Sequence, residues 1–160
     1  MIIHSGGIIL FRFRGEKLQV LLVHPGGPFW SGKDEGAWSI PKGVFEEHER
    51  PLEAAKREFR EETGFEVAGQ FIDLGEIFQS SKKIVHVWAN QSDFDASLAK
   101  SNNFSIKWPR NSAIMREFPE VDKAEWFDIE TARKKIHKGQ IGFIDRLLGY
   151  LNNHPSTTTA

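Results

Sequence analysis

The chain is predicted to fold as one α/β domain in which a mixed β-sheet lies between helical layers, and three observations carry that reading. Residues 2 to 13, 18 to 24 and 83 to 89 are apolar, β-branched runs of strand length. A helical pattern over 51 to 63 separates the early strands from the later ones, and two more helices, 128 to 138 and 141 to 151, close the chain. With 160 residues, 39% of them apolar, there is material for one substantial core and too little for two. The expected domain covers 1 to 153, followed by HPSTTTA as a disordered tail.

The first two strands are joined by Arg14-Gly15-Glu16-Lys17, which reads as a tight turn and predicts a hairpin or adjacent strands. Gly6-Gly7 inside the first run predicts a bulge or a close backbone approach. Residues 25 to 38, PGGPFWSGKDEGAW, are too rich in Gly and Pro for regular structure and carry Phe29, Trp30 and Trp38. Such rings either plug the open end of the core or stack a nucleobase, a contact worth roughly 1–3 kcal/mol. Trp30 and Trp38 are therefore candidate substrate contacts. Lys42, just before a glycine, is a candidate contact to phosphate.

The helix over 51 to 63 begins with Pro51, which needs no N–H partner in the first turn, and is followed by Gly64, suited to the left-handed stop. At 100° per residue Leu52, Ala55 and Phe59 share a stripe, and Glu58, Glu61 and Glu62 lie in a 100° arc beside it. Glu58 and Glu62 are like charges one turn apart, costing roughly 0.2–0.5 kcal/mol. Arg57 reaches Glu53 and Glu61 at helical spacing but cannot neutralise all three acids. Two readings meet this pattern: a solvated glutamate face, or carboxylates gathered for Mg²⁺, which takes one or two of them together with waters and substrate phosphates.

Gly43, five residues, Glu49, seven residues, Arg57-Glu58-Phe59, one residue, Glu61-Glu62, one residue and Gly64-Phe65 together resemble the Nudix box, with no departure from its signature. The resemblance implies a Nudix-type α/β/α sandwich and a hydrolase of nucleoside diphosphates linked to another group, using Mg²⁺ or Mn²⁺. Carried over by position, Glu58, Glu61 and Glu62 are the expected metal ligands, with Glu49 in support and Arg57 orienting a glutamate. The family places its general base either in the box or on a remote loop. Trp38 to Gly43 is similar to the approach to the box in dinucleoside polyphosphate hydrolases, which ranks those substrates slightly ahead of nucleoside triphosphates. The alternative is a module of the same fold that senses a nucleotide or metabolite without cleaving it.

Beyond the box, short apolar runs occupy 65 to 78, and 90 to 113 reads as an excursion with one strand-like piece around 104 to 108. Phe118 to Asp122 is expected as an acidic loop leading to the strand Ala124 to Phe127. By loop position Glu120 is the candidate for a further metal-binding or base glutamate, with Glu117 behind it. The six histidines show no metal-ligand spacing, and no nucleophile elbow, Walker loop or internal repeat is present.

Lys and Arg number 21 against 22 Asp and Glu, so charge gives no reason to expect a nucleic-acid polymer as partner. The absence of cysteine excludes disulfides, thiolate zinc sites and a cysteine nucleophile. With neither a leader-like N-terminus nor a membrane-length apolar stretch, the expectation is a cytoplasmic protein acting on a small nucleotide.

Overall fold

The computed structural model describes residues 1–154. Strand β1 (Ile3–Arg14) turns at Gly15 into β2 (Lys17–Pro25), an antiparallel hairpin with Phe11 opposite Val20 and Arg14 opposite Lys17. On the other side of β1 lies β5 (Lys83–Gln91), parallel to it from Ile3 opposite Lys83 to Phe11 opposite Gln91. Antiparallel partners flank this trio: β4 (Ile72–Ser80) beside β5, and β8 (Val121–Asp128) beside β2. The sheet therefore runs β4-β5-β1-β2-β8, mixed as expected.

Both faces of the sheet are covered, which explains why β1 and β2 read as continuous apolar runs. Successive side chains point to opposite faces. Ile8, Leu10, Leu21 and Val23 accordingly pack with Ala55 and Phe59 of α1 (Pro51–Thr63). Ile9, Phe11, Val20 and Leu22 pack with Phe143, Ile144, Leu147 and Leu151 of α3 (Ile141–Asn153). The second layer is completed by α2 (Ile129–Lys135), whose start is capped by Asp128 accepting the Thr131 N–H at 3.0 Å.

A short strand, β3 (Lys42–Val44), pairs with the beginning of β1, setting Gly6 against Gly43 and Gly7 against Lys42. The Gly6-Gly7 pair marks a close approach rather than a bulge. A Cβ at Gly6 would lie 2.6 Å from the Phe45 ring, and one at Gly7 would lie 2.8 Å from the Pro41 carbonyl oxygen. The opening glycine of the box is thereby anchored in the sheet.

Two expectations are corrected. The basic helix expected over 128 to 138 ends at Lys135, because Ile136 turns extended and drops into the core, 1% exposed, where tertiary packing overrides local propensity. A one-turn 3₁₀ helix, Lys138–Gln140, then leads into α3. Within the excursion, β6 (Asn103–Lys107) pairs with β7 (Met115–Pro119) in a separate two-stranded sheet, so the loop expected before the last strand is itself largely strand. β6 alternates, with Phe104 and Ile106 half-buried between exposed polar residues, whereas in β7 Phe118 alone is half-buried, which leaves no alternating pattern to detect there. The expected tail falls on 155 to 160, outside the described residues; His154 is described, and its N–H meets the Leu151 carbonyl at 3.3 Å. Among the described residues no helix is long and apolar enough to cross a membrane.

Candidate active site

The acidic face of α1 is set by how the helix is seated. Pro51 occupies its first turn, and Gly64, at φ 79°, ends it by donating its N–H to the Arg60 carbonyl at 2.7 Å. Ala54, Ala55, Phe59 and Thr63 are buried, so the adjoining arc turns Glu58, Glu61 and Glu62 toward β3 and the cleft beside it. A Cβ at Gly43 would overlap the Glu58 carboxyl group. Only glycine lets β3 pass this close to that side chain.

Arg57 organises the acids at one end. Its Nε and Nη2 donate to Glu49 at 2.6 and 2.8 Å, while Nη1 donates to Glu58 at 2.9 Å and to Glu61 at 2.8 Å. The expected pairing with Glu53 is not formed; Glu53 instead meets Lys56 at 3.6 Å. Hydrogen bonds from Arg57 hold the Glu49 carboxyl down at about 2. Arg57 leaves Glu62 to another donor, the Lys42 backbone N–H at 3.2 Å.

Glu62 is pushed up to about 8, first by burial and then by Glu58 and Glu120, against the pull of Lys42. Burial and the charge of Glu61 raise Glu58, although Arg57 opposes this, and burial and Glu61 raise Glu120. Glu120 is the single residue between β7 and β8, held by its N–H to the Asn102 carbonyl at 2.8 Å and by its own carbonyl accepting Gly26 N–H at 2.9 Å. Four carboxylates from two distant segments thus share one field.

Lys42, Glu62 and Glu120 line a cleft of about 300 Å³ together with Trp30, Lys83 and His137. Burial lowers Lys42, with Lys83 adding to the effect and Glu62 opposing it. Lys83, His137, Gln79 and Gln140 were not among the candidates read from the sequence. Gln140, 1% exposed, fixes the cleft wall: its Oε1 accepts Ile40 N–H at 2.9 Å, and its Nε2 donates to Ser39 and Gln79 at 3.0 Å each. His137 accepts the Gly139 N–H at 2.9 Å. No spacing along the chain signals this group, which the β1 to β5 register and the turn after α2 assemble.

The loop aromatics separate. Trp30 is 38% exposed and lines the cleft. Trp38 is 4% exposed, stands edge-on to Phe127 at 5.0 Å and donates its indole N–H to Asp34 at 2.9 Å. Its ring fills the core rather than facing the cleft.

Among the described residues no three acidic or histidine side chains converge as a ready metal site, since Glu58 and Glu61 are turned to Arg57. The donor chemistry nevertheless fits a hard divalent ion: all the ligand atoms would be carboxylate oxygens, and their mutual repulsion favours a cation among them.

The NUDIX domain family model matches residues 4–147. A curated relative, an octanoyltransferase of Myxococcus xanthus, is 30% identical over 129 residues, which cover 81% of this chain and 32% of that protein. The chain thus spans about a third of that relative's length. Among solved structures, a C. elegans Ap4A hydrolase binary complex aligns with TM-score 0.64 and 18% identity, covering 95% of this chain and 99% of the other. A mutT/nudix family protein from Listeria innocua aligns with TM-score 0.65, 15% identity and 98% of both chains. The NUDIX domain of Shewanella oneidensis NrtR complexed with ADP ribose aligns with TM-score 0.64, 15% identity, 94% of this chain and 89% of the other. At these identities the structural likenesses show the fold.

Proposed function

The chain belongs to the NUDIX domain family, which supports pyrophosphohydrolase activity, and we propose that it cleaves a nucleoside diphosphate linked to another group. Dinucleoside polyphosphates and nucleoside triphosphates are the substrates favoured. The observation that carries this reading is the meeting of opposite charges in one cleft, where Lys42 and Lys83 stand beside Glu62 and Glu120. A phosphate chain lies along the lysines, and its reacting centre faces the acids.

Mg²⁺ or Mn²⁺ held by Glu58, Glu61 and Glu62, with Glu49 or Glu120 in support, would polarise phosphate oxygens and lower the pKa of a bound water. Arg57 positions Glu58 and Glu61 through its bond to Glu49. Glu120, which lines the cleft from the far side and is raised by burial and by Glu61, is the group placed to accept the proton of the attacking water. Trp30, partly exposed at the cleft with the Lys33 ammonium 5.3 Å from its ring centre, is the aromatic placed to stack the base. A chain without cysteine suits a cytoplasmic setting.

Assaying dinucleoside polyphosphates, nucleoside triphosphates and nucleotide sugars with Mg²⁺ and with Mn²⁺ tests the reading. Turnover of at least one class is expected. Tight binding without turnover would favour the sensing module instead.

A further inference from the structure

The loop that carries Trp30 is tied to the sheet at one point of its tip. Among the described residues, the hydrogen bonds of residues 27 to 33 run within the loop, Trp30 N–H to the Gly27 carbonyl at 3.4 Å and Lys33 N–H to the Trp30 carbonyl at 3.0 Å, with one exception. The exception is the Lys33 carbonyl, which accepts from Nε2 of His24, on β2, at 2.6 Å. Lys33 in turn brackets Trp30, with its backbone bonded to the Trp30 carbonyl and its ammonium 5.3 Å from the ring centre. What holds Lys33 therefore holds the ring at the cleft.

The other ring nitrogen of His24, Nδ1, meets Oδ1 of Asp122 at 2.9 Å. The register of β2 and β8 slips at this place: His24 is opposite Lys123 and Pro25 opposite Val121, so Asp122 is the extra residue of a β-bulge, a feature that re-aims a side chain. Two residues before it stands Glu120, whose carbonyl accepts the Gly26 N–H. Both partners of the ring are acceptors, so each ring nitrogen serves as a donor. His24 is 8% exposed and stands edge-on to Trp38, with ring centroids 5.2 Å apart, which fixes the imidazole between its two partners. One buried ring thus joins the two segments that bring Trp30 and Glu120 to the cleft.

We propose that His24, which does not itself line the cleft, is a positioning residue for it, setting Trp30 through Lys33 and Glu120 through Asp122. The inference rests on the pyrophosphohydrolase reading and deepens it by naming the group that aligns the stacking ring with the proton acceptor. Its two arms act on different steps. A displaced Trp30 weakens a contact made equally in the ground state and the transition state, whereas a displaced Glu120 weakens only the transfer of the proton.

The test is steady-state kinetics of His24→Asn, His24→Gln and Asp122→Ala with Mg²⁺ on whichever of ATP, diadenosine tetraphosphate and UDP-glucose the wild-type protein turns over fastest. Melting temperatures and amide hydrogen exchange across residues 27 to 37 are measured alongside. The amide nitrogen of asparagine takes the place of Nδ1 and that of glutamine the place of Nε2, so each variant keeps one arm and loses the other. His24→Asn should raise KM about tenfold with kcat nearly unchanged, and speed exchange in the loop. His24→Gln should lower kcat about tenfold with KM and loop exchange close to wild type, and Asp122→Ala should reproduce it. Combining His24→Gln with Asp122→Ala should be no worse than either change alone, because both cut the same arm. Shifts of KM and kcat together in all three variants in step with lost melting temperature, or wild-type kinetics and exchange throughout, would overturn the positioning role while leaving the pyrophosphohydrolase reading intact. A wild-type protein that cleaves none of the three nucleotides would overturn both.

Discussion

Arg57 and Glu49 face each other in a two-point ion pair, Nε to Oε2 at 2.6 Å and Nη2 to Oε1 at 2.8 Å, and the remaining guanidinium nitrogen reaches Glu58 and Glu61. The pair works as a bracket, because Glu49 fixes the plane of the guanidinium and the guanidinium fixes two acids of the helix. Glu49→Gln keeps the shape of that partner and removes its charge. Groups that orient metal ligands in this way are typically worth about 10–100-fold in metal affinity or activity. The expected outcome is a loss of kcat/KM in that range, partly recovered at high Mg²⁺. An unchanged kcat/KM would show that Arg57 holds its place without Glu49.

Glu61→Gln and Glu62→Gln remove carboxylate charge at partly buried positions while keeping the shape of the side chain. A neutral amide holds Mg²⁺ poorly, so turnover should fall at least a hundredfold in each while the fold survives, as judged by circular dichroism and melting temperature. Near wild-type rates in both at saturating Mg²⁺ would mean that the ion sits elsewhere.

Divalent metal should stabilise the protein, since a ligand bound by the folded state alone shifts the equilibrium by mass action. Burial raises Glu58, Glu62 and Glu120, and the repulsion from neighbouring carboxylates that adds to it is what a cation would relieve. Melting temperature should climb with millimolar Mg²⁺ or Mn²⁺, and Glu62→Gln should blunt the climb. Superimposed melting curves with and without metal would leave the acids as a solvated face.

The box, its helix and the acids it turns outward were legible from residues 43 to 65, because they depend on local spacing alone. The like-charge strain between Glu58 and Glu62 was legible too, but not how it is met: Arg57 takes Glu58, and the Lys42 N–H takes Glu62. Lys83 and His137 enter the cleft through sheet register and through a helix that ends early at Lys135, neither of which has a local signature. Of the β6–β7 hairpin only β6 was legible, as the strand-like piece around 104 to 108 in which Phe104 and Ile106 alternate with polar residues; β7, with Phe118 alone half-buried, carries no alternation to read.

The raised Glu62 carboxyl gives the metal-free protein a pH dependence with a definite sign. Its ordinary value is 4.5 and its folded value about 8, so between these the folded state holds a proton that the unfolded state has released. Stability therefore decreases as pH rises through this window. In chelator, melting temperature should fall from pH 5 to pH 8, and Glu62→Gln should flatten the fall. Glu49, held down at about 2, works in the opposite direction but only below its unfolded value, so it does not disturb the range tested. A melting temperature constant over pH 5 to 8 in chelator would contradict the buried, crowded setting assigned to Glu62.

Trp30 and Trp38 lie eight residues apart, and their exposures, 38% and 4%, predict opposite consequences of truncation. Trp38 closes the core against Phe127, so Trp38→Ala should cost about 3–5 kcal/mol of stability. Much of any loss of activity in that variant would follow from unfolding. Trp30 borders the cleft, and a stacking contact to the base is made equally in the ground state and the transition state. Trp30→Ala should therefore raise KM while leaving kcat and melting temperature close to wild type. Measuring the three quantities on both variants separates the roles, because an unchanged KM with a large drop in melting temperature for Trp30→Ala would make it a second core plug and leave the base to some other surface of the cleft.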